Sequence, residues 1–135
     1  MTFSKSVADN VTHLKQVLQT DKNFDVVYRP LRIADREMAL FFVDGFTKDE
    51  VLLKLIQVWS AIKKEDMPEN ATAFSRQYLP YGEVNLVREE QDMVVQLLMG
   101  ASCLFIDGYE ECLIIDCRTY PARGVDEPEK DKVLI

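Results

Sequence analysis

Two runs of four consecutive apolar residues, Cys103-Leu104-Phe105-Ile106 and Cys112-Leu113-Ile114-Ile115, flank a short segment that opens with Asp107-Gly108. Asp and Gly supply the short side chain and the positive φ that a reversal needs, so the segment reads as a β-hairpin. A strand with one wet face alternates apolar and polar residues, whereas a run that is apolar at every position belongs to a strand covered on both faces. The pattern also occurs earlier in the chain. Leu40-Phe41-Phe42-Val43-Asp44-Gly45-Phe46 echoes Leu104-Phe105-Ile106-Asp107-Gly108-Tyr109, each an apolar strand leaving through Asp-Gly into an aromatic residue. A shared strand-to-turn solution explains this echo more simply than duplication does. The expected fold class is α/β (α+β): a mixed β-sheet of about 4-5 strands covered by 3-4 amphipathic helices in a single domain of two or three layers.

With 135 residues the chain can bury roughly two thirds of its unfolded surface, so one core is enough. Its 47% hydrophobic content argues against disorder, and 29% charged residues with a net charge of -7 give an acidic surface. Acids outnumber bases 23 to 16 with no basic stripe, which excludes a nucleic-acid partner and a polybasic membrane patch. No run approaches the ~18 consecutive apolar residues of a membrane span. Met1-Thr2-Phe3-Ser4-Lys5 leads into a polar helix and not into an apolar signal core, so these residues are expected neither to span a membrane nor to be secreted. The three cysteines lie on or beside apolar strands and read as buried thiols in a reducing compartment. Cys112 and Cys117 would point to opposite faces of one continuous strand, a poor arrangement for chelation.

Val7, Val11, Leu14 and Leu18 recur at helical spacing after Ser4 or Ser6, predicting a helix over 6–20. Phe24 to Ile33 and Met38 to Val43 read as strands joined by an Ala34-Asp35-Arg36-Glu37 turn, and Pro30 makes the first of them an edge strand or a bulged one. Thr47 with Glu50 has capping-box spacing before Val51, Leu52, Leu55, Ile56, Trp59 and Ile62, the strongest amphipathic helix, expected to end near Lys63-Lys64. That helix is expected to pack, through Val51, Leu55, Ile56, Trp59 and Ile62, on Leu40, Phe42, Leu104, Ile106 and Ile114. Glu65 to Ala71 reads as loop, Thr72 to Tyr78 as one or two helical turns and Tyr81 to Val87 as a short strand. Met93, Val94, Leu97 and Leu98 mark a helix stopping at Gly100. Strands follow at 102–106 and 111–116.

Catalytic chemistry finds no constellation in this sequence. His13 is the single histidine, without Cys or carboxylates at ligand spacing, and reads as a surface residue; no metal, cofactor or catalytic residue is expected. The serines lack a Gly-x-Ser-x-Gly elbow, and no glycine-rich phosphate loop occurs. Asp49-Glu50, Glu89-Glu90-Gln91-Asp92 and Glu110-Glu111 fall at helix starts or in a turn, where they suit the helix dipole or solvent. The sharpest candidate is the extended, Pro-punctuated tail carrying Arg118, Tyr120 and Arg123, with Asp116, Asp126, Glu127 and Glu129 as the nearest acids. It reads as a clamp between subunits or subdomains, or as a strap satisfied within its own domain. Two Arg beside a Tyr also suit an anionic or amino-acid-like ligand.

A family resemblance rests on the Asp107-Gly108 hairpin, on Ile115-Asp116-Cys117-Arg118-Thr119-Tyr120-Pro121-Ala122-Arg123, and on Glu127-Pro128-Glu129 followed by Lys132-Val133. Ser6-Val7-Ala8-Asp9-Asn10 and Phe24-Asp25-Val26 add to it. On these residues the chain resembles the A subunits of GerA-type spore germinant receptors, most of all their stage V sporulation AF branch. In that family the Lys-Val pair leads into an Arg-Gly and Gly-Phe segment, a second soluble subdomain and membrane spans, whereas this sequence stops at Ile135. The resemblance implies that residues 1–135 form the N-terminal soluble subdomain of a membrane protein, and the lack of nucleophile, base and metal constellations adds that it is non-catalytic and without cofactor. It implies a place at the spore inner membrane on the cytoplasmic (spore core) side. There the domain would mediate subunit assembly or signal coupling in an ion-releasing complex. Expected partners are other germination-complex subunits and, in the full-length protein, further copies of itself. The alternative is a sensor module for a small germinant-like molecule. Arg118, Tyr120, Arg123, Glu127 and Glu129 are the expected binding or interface residues.

Overall fold

Pro30 governs the first edge of the sheet. The strand that carries it, β1 (Val26–Ile33), pairs antiparallel with β2 (Arg36–Val43), Ile33 lying opposite Arg36. Only Ala34 (φ 54) and Asp35 (φ 62) connect them, the paired positive dihedrals of a type I′ turn. The turn is thus two residues shorter than expected. A two-residue hairpin makes its closing pair a hydrogen-bonded one and alternates from there, so Pro30, opposite Ala39, falls at a non-hydrogen-bonded position. Its missing N–H faces outward. β1 loses no ladder bond to β2, while the open edge loses a donor that another strand would need.

The computed structural model describes residues 1–19, 25–79 and 84–117. In chain order the remaining elements are α1 (Val7–Leu18), α2 (Asp49–Ser60), a 3₁₀ turn at Lys64–Asp66, α3 (Ala71–Tyr78), β3 (Val84–Val87), α4 (Glu90–Leu98), β4 (Ser102–Ile106) and β5 (Cys112–Ile115). The five strands lie in the order β1-β2-β4-β5-β3, and α1 precedes β1 while α2 follows β2. Strand number, helix cover and the β4–β5 hairpin agree with the sequence reading. The pairing direction does not: all four pairings are antiparallel, so the sheet is not mixed. Consecutive apolar residues report burial on both faces, and helices on both sides provide that burial whatever the strand direction.

Those helices divide the core in two. On one face α1 and α4 cover Ala39, Phe41, Val43, Cys103, Phe105, Cys112 and Ile114 through Val7, Val11, Leu14, Leu18, Met93 and Leu97. On the other, α2 and α3 cover Met38, Leu40, Leu104, Ile106, Leu113 and Ile115 through Leu52, Leu55, Trp59, Ala71 and Phe74, joined by Ile62 just past the end of α2. The result is a three-layer α-β-α domain. α2 packs on Leu40, Phe42, Leu104 and Ile106 as expected, but Ile114 belongs to the opposite face. Side chains alternate along β5, so Leu113 and Ile115 point toward α2 and α3 and Ile114 cannot.

The ends of α2 also depart from expectation. Its N-cap is Lys48, without a side-chain cap, because the Thr47 hydroxyl is buried against Ser102 and not turned toward Glu50. The helix stops at Ser60, ahead of Lys63-Lys64, where the Ser60 hydroxyl donates to the Ile56 carbonyl at 2.7 Å. α1 follows its sequence signal, Ser6 accepting from the Asp9 N–H, while α3 starts one residue earlier than expected, at Ala71, because Asn70 at the end of the expected loop caps it by accepting from the Ala73 N–H. α4 ends ahead of Gly100, whose φ of 104 turns the chain into β4.

The echo between β2 and β4 becomes a local two-fold relation. The strands are antiparallel neighbours with Leu40 opposite Leu104, and each leaves through Asp-Gly with Gly at positive φ: Gly45 at 90 and Gly108 at 97. The Phe46 N–H donates to the Val43 carbonyl, as the Tyr109 N–H does to Ile106, closing equivalent turns at opposite ends of the sheet.

Candidate interaction surface

The loop at Asp107–Glu111 ties one end of the sheet to the N-terminal segment. The Asp107 carboxylate accepts the Val7 N–H at the start of α1, at 3.1 Å. Arg36 donates through Nη1 to the Asp107 carbonyl at 3.0 Å, and the Gly108 N–H donates to the Lys5 carbonyl at 2.8 Å. The positive φ of 97 at Gly108 favours glycine, and a Cβ there would come 3.0 Å from that Arg36 Nη1 and push it off its bond to Asp107. The buried Tyr109 donates its hydroxyl to the Pro68 carbonyl, and burial raises its pKa against the opposing charge of Arg36. Arg88 sits 3.9 Å from both Glu110 and Glu111, exposed pairs of the kind that contribute little. These contacts hold the N-terminus in place, helped by the antiparallel bridge between Thr2 and Glu89 and by His13, which pairs with Glu90 between α1 and α4.

The opposite end holds a buried polar knot. Ser102, fully buried at the start of β4, lies 3.5 Å from the Thr47 hydroxyl and hydrogen-bonds the Cys117 thiol. Lys48 at the head of α2 donates its N–H to the Cys117 carbonyl at 2.8 Å. The knot fastens residue 117 to the cores of β4 and α2. Arg118, Tyr120, Arg123, Glu127 and Glu129, the interface candidates of the sequence, lie outside the described residues; this knot is the point from which they continue.

All three cysteines are free and buried, Cys112 on the α1/α4 face and Cys117 on the α2/α3 face. Burial pushes the Cys117 thiol up to about 11, opposed by its hydrogen bond from Ser102 and reinforced by Asp116; burial and the adjacent Cys103 raise Cys112 as well. The folded state therefore holds these protons more tightly than the unfolded chain. Their contribution to stability is complete below the unfolded thiol value and is lost as pH rises toward that of the folded state. The expected result is a fall in urea midpoint between about pH 9 and 11, reduced in Cys117→Ala, together with thiols that react with a disulfide reagent at pH 8 only after unfolding. Rapid native labelling would show that the thiols are accessible.

Two features were not legible as sites in the sequence. α4 turns Val95, Leu98 and Met99 outward although it already buries Met93 and Leu97; the signal was an apolar arc too wide for one face. A groove of about 460 Å³ opens between α1 and β1, bordered by Ala8, Thr12, Tyr28, Pro30, Arg32 and Glu37. Among the described residues no group of three His, Cys, Asp or Glu is placed to hold a metal ion.

The architecture has a counterpart of known structure. The N-terminal domain of the A subunit of the Bacillus megaterium spore germinant receptor GerK3 matches with a TM-score of 0.72 over 89% of this chain and 49% of that one, at 18% identity. At that identity the likeness is one of fold, and it defines the class: an α+β module of the kind found at the N-terminus of a germinant receptor A subunit. The chain belongs to the Bacillus/Clostridium GerA spore germination protein family, whose model matches residues 12–135. Stage V sporulation protein AF of Bacillus subtilis is 28% identical over 132 residues, which cover 96% of this chain and 27% of that protein. Spore germination protein KA of the same organism is 21% identical over 132 residues, 93% of this chain and 24% of its own length. The chain therefore spans about a quarter of the length of these curated relatives. The family expected from the Arg-x-Tyr-Pro-x-Arg and Glu-Pro order is the family found.

Proposed function

We propose that this domain is the first soluble module of a larger A-subunit-like polypeptide. In this reading it stands on the cytoplasmic (spore core) side of the spore inner membrane and serves subunit assembly or signal coupling in an ion-releasing germination complex. It does so without catalysis, alongside other germination-complex subunits and further copies of itself. The observation that carries this reading is the family match from residue 12 to 135 on a chain only about a quarter as long as its relatives. The knot at Thr47, Ser102 and Cys117 supports it, because a polypeptide continuing from residue 117 starts from a fixed point. Arg118 and Arg123 are the contact residues in this reading. Replacing both with Ala leaves the unfolding free energy of the 135-residue chain within about 1 kcal/mol of wild type, and lowers co-purification of partner subunits and germination in the intact protein. Unchanged assembly and germination remove the clamp; unfolding of the short chain makes the segment structural.

The groove beside β1 favours a second reading, a sensor for a small molecule with an apolar body and polar ends. Amino acids that raise the thermal midpoint of the wild type but not of Tyr28→Ala would establish it, and an unmoved midpoint would dismiss it.

A further inference from the structure

β1 presents backbone groups that the fold leaves unpaired. The Asp44 N–H donates to the Asp25 carbonyl at 2.7 Å, which makes these two a hydrogen-bonded pair and, by alternation, puts Val27, Arg29, Leu31 and Ile33 at the bonded positions toward β2. Tyr28 and Arg32 therefore turn N–H and C=O away from the sheet, and Pro30 between them turns out a C=O alone. Among the described residues no strand pairs with that side. The opposite edge, β3, has four residues against eight, and the Thr2–Glu89 bridge lies just past its end. The exposed apolar side chains of α2 and α4 come with no such backbone groups, because a helix spends its own internally. β1 also has the groove of about 460 Å³ beside it, lined by the apolar Val7, Val11 and Pro30 and the polar Tyr28, Arg32 and Glu37. Charge narrows the choice of occupant. In a chain of net -7, β1 carries Arg29 and Arg32, both exposed, and no acid, while Lys15 of α1 lies 4.6 Å over the Tyr28 ring. Glu37 meets Arg32 only as an exposed pair at 3.9 Å, and among the described residues Arg29 has no acidic partner. Such a strand favours an acidic neighbour and disfavours a second copy, whose own Arg29 and Arg32 would face these. Proline and arginine also guard an edge against indiscriminate pairing. A guard needs no cavity, whereas an edge short of one donor has to draw affinity from side chains, and the groove receives the side chain that lies opposite Pro30.

We propose that the outer side of β1 and its groove form a receptor for an acidic, extended peptide segment of a partner protein, which adds to the sheet as an antiparallel strand. Its backbone bonds to Tyr28, to the Pro30 carbonyl and to Arg32; an apolar side chain opposite Pro30 fills the groove, and carboxylates lie opposite Arg29 and Arg32. The receptor stands apart from the assembly reading, whose contacts are Arg118 and Arg123, so either can fail without the other.

The test titrates the 135-residue chain into a fluorescein-labelled peptide of sequence GGTEVVEVT, whose glutamates fall opposite Arg32 and Arg29 and whose valine before the second glutamate falls opposite Pro30. Anisotropy reads binding, and amide exchange reads its place. The expected result is saturable binding that slows exchange at the Tyr28 and Arg32 N–H groups and leaves those of Arg29 and Leu31, already bonded to β2, as they were. Affinity falls several-fold in Arg29→Glu/Arg32→Glu, in a peptide with lysine for both glutamates, and in a peptide N-methylated at its last valine, which loses the donor aimed at the Tyr28 carbonyl. The two altered peptides decide the matter without changing the protein. No saturable binding overturns the proposal, as does equal affinity for the lysine peptide or for the N-methylated one. Protection that falls away from β1 overturns it too. So do Tyr28 and Arg32 amides already protected without peptide in a chain that sediments as a dimer, which would make a second copy the occupant.

Discussion

Trp59→Ala lowers the unfolding free energy by about 3 to 5 kcal/mol, the largest loss expected from any single truncation on the α2/α3 face. Trp59 is fully buried, its ring 6.0 Å from that of Phe74, and its Nε1–H donates to the Tyr78 carbonyl at 2.9 Å. Truncation therefore empties a large volume and also orphans an acceptor at the end of α3. For a domain whose total stability is of the order of 5 to 15 kcal/mol, this approaches global unfolding. Trp59→Phe keeps most of the volume and loses the hydrogen bond, so it should cost about 1 to 2 kcal/mol. Because Trp59 is the one tryptophan, urea unfolding is followed by circular dichroism and not by fluorescence. A loss below about 1 kcal/mol for the alanine variant would take α2 out of the core.

Phe41→Ala probes the opposite face and is expected to cost a similar ~3 to 5 kcal/mol. Its ring lies 5.3 Å from Tyr28 and 6.0 Å from Phe105, which in turn meets Phe3 edge-on at 4.9 Å. One aromatic row thus crosses β1, β2 and β4 and ends on the N-terminal segment. Removing its middle member should also loosen residues 1–5, read as faster amide exchange at the Phe3 N–H, which donates to the Arg88 carbonyl. Small effects on both faces would be incompatible with a three-layer domain, whereas a small effect on one face alone would leave a two-layer one.

Much of this architecture was legible because the local signals agreed with one another. Val7, Val11, Leu14 and Leu18 mark α1 by spacing, Ser6 caps it, and Asp-Gly after an apolar run marks the ends of both β2 and β4. Pro30 announced an edge, and β1 is one. Strand direction was not legible, because an apolar run reports how thoroughly a strand is covered and says nothing of which way its neighbour runs. Thr47 misled for a related reason: capping-box spacing is local, while the buried hydroxyl of Ser102, 55 residues away, is what claims its side chain. Ile114 was assigned to the wrong face because a run of four apolar residues conceals the two-residue period that separates Leu113 and Ile115 from it. The outward stripe of α4 was hidden in the same way, since Val94, Val95, Leu97 and Leu98 are apolar whichever side they serve.

The position of β5 has a mechanical consequence. The strand nearest residue 117 is an interior one, held by β4 on one side and β3 on the other, with all four of its residues buried. A pull or twist arriving through the polypeptide after Cys117 cannot peel an edge; it must break two ladders and a core at once. The domain is therefore built to move as a rigid body under load, passing displacement from residue 117 to the faces of α1, α2, α3 and α4 instead of absorbing it by unravelling.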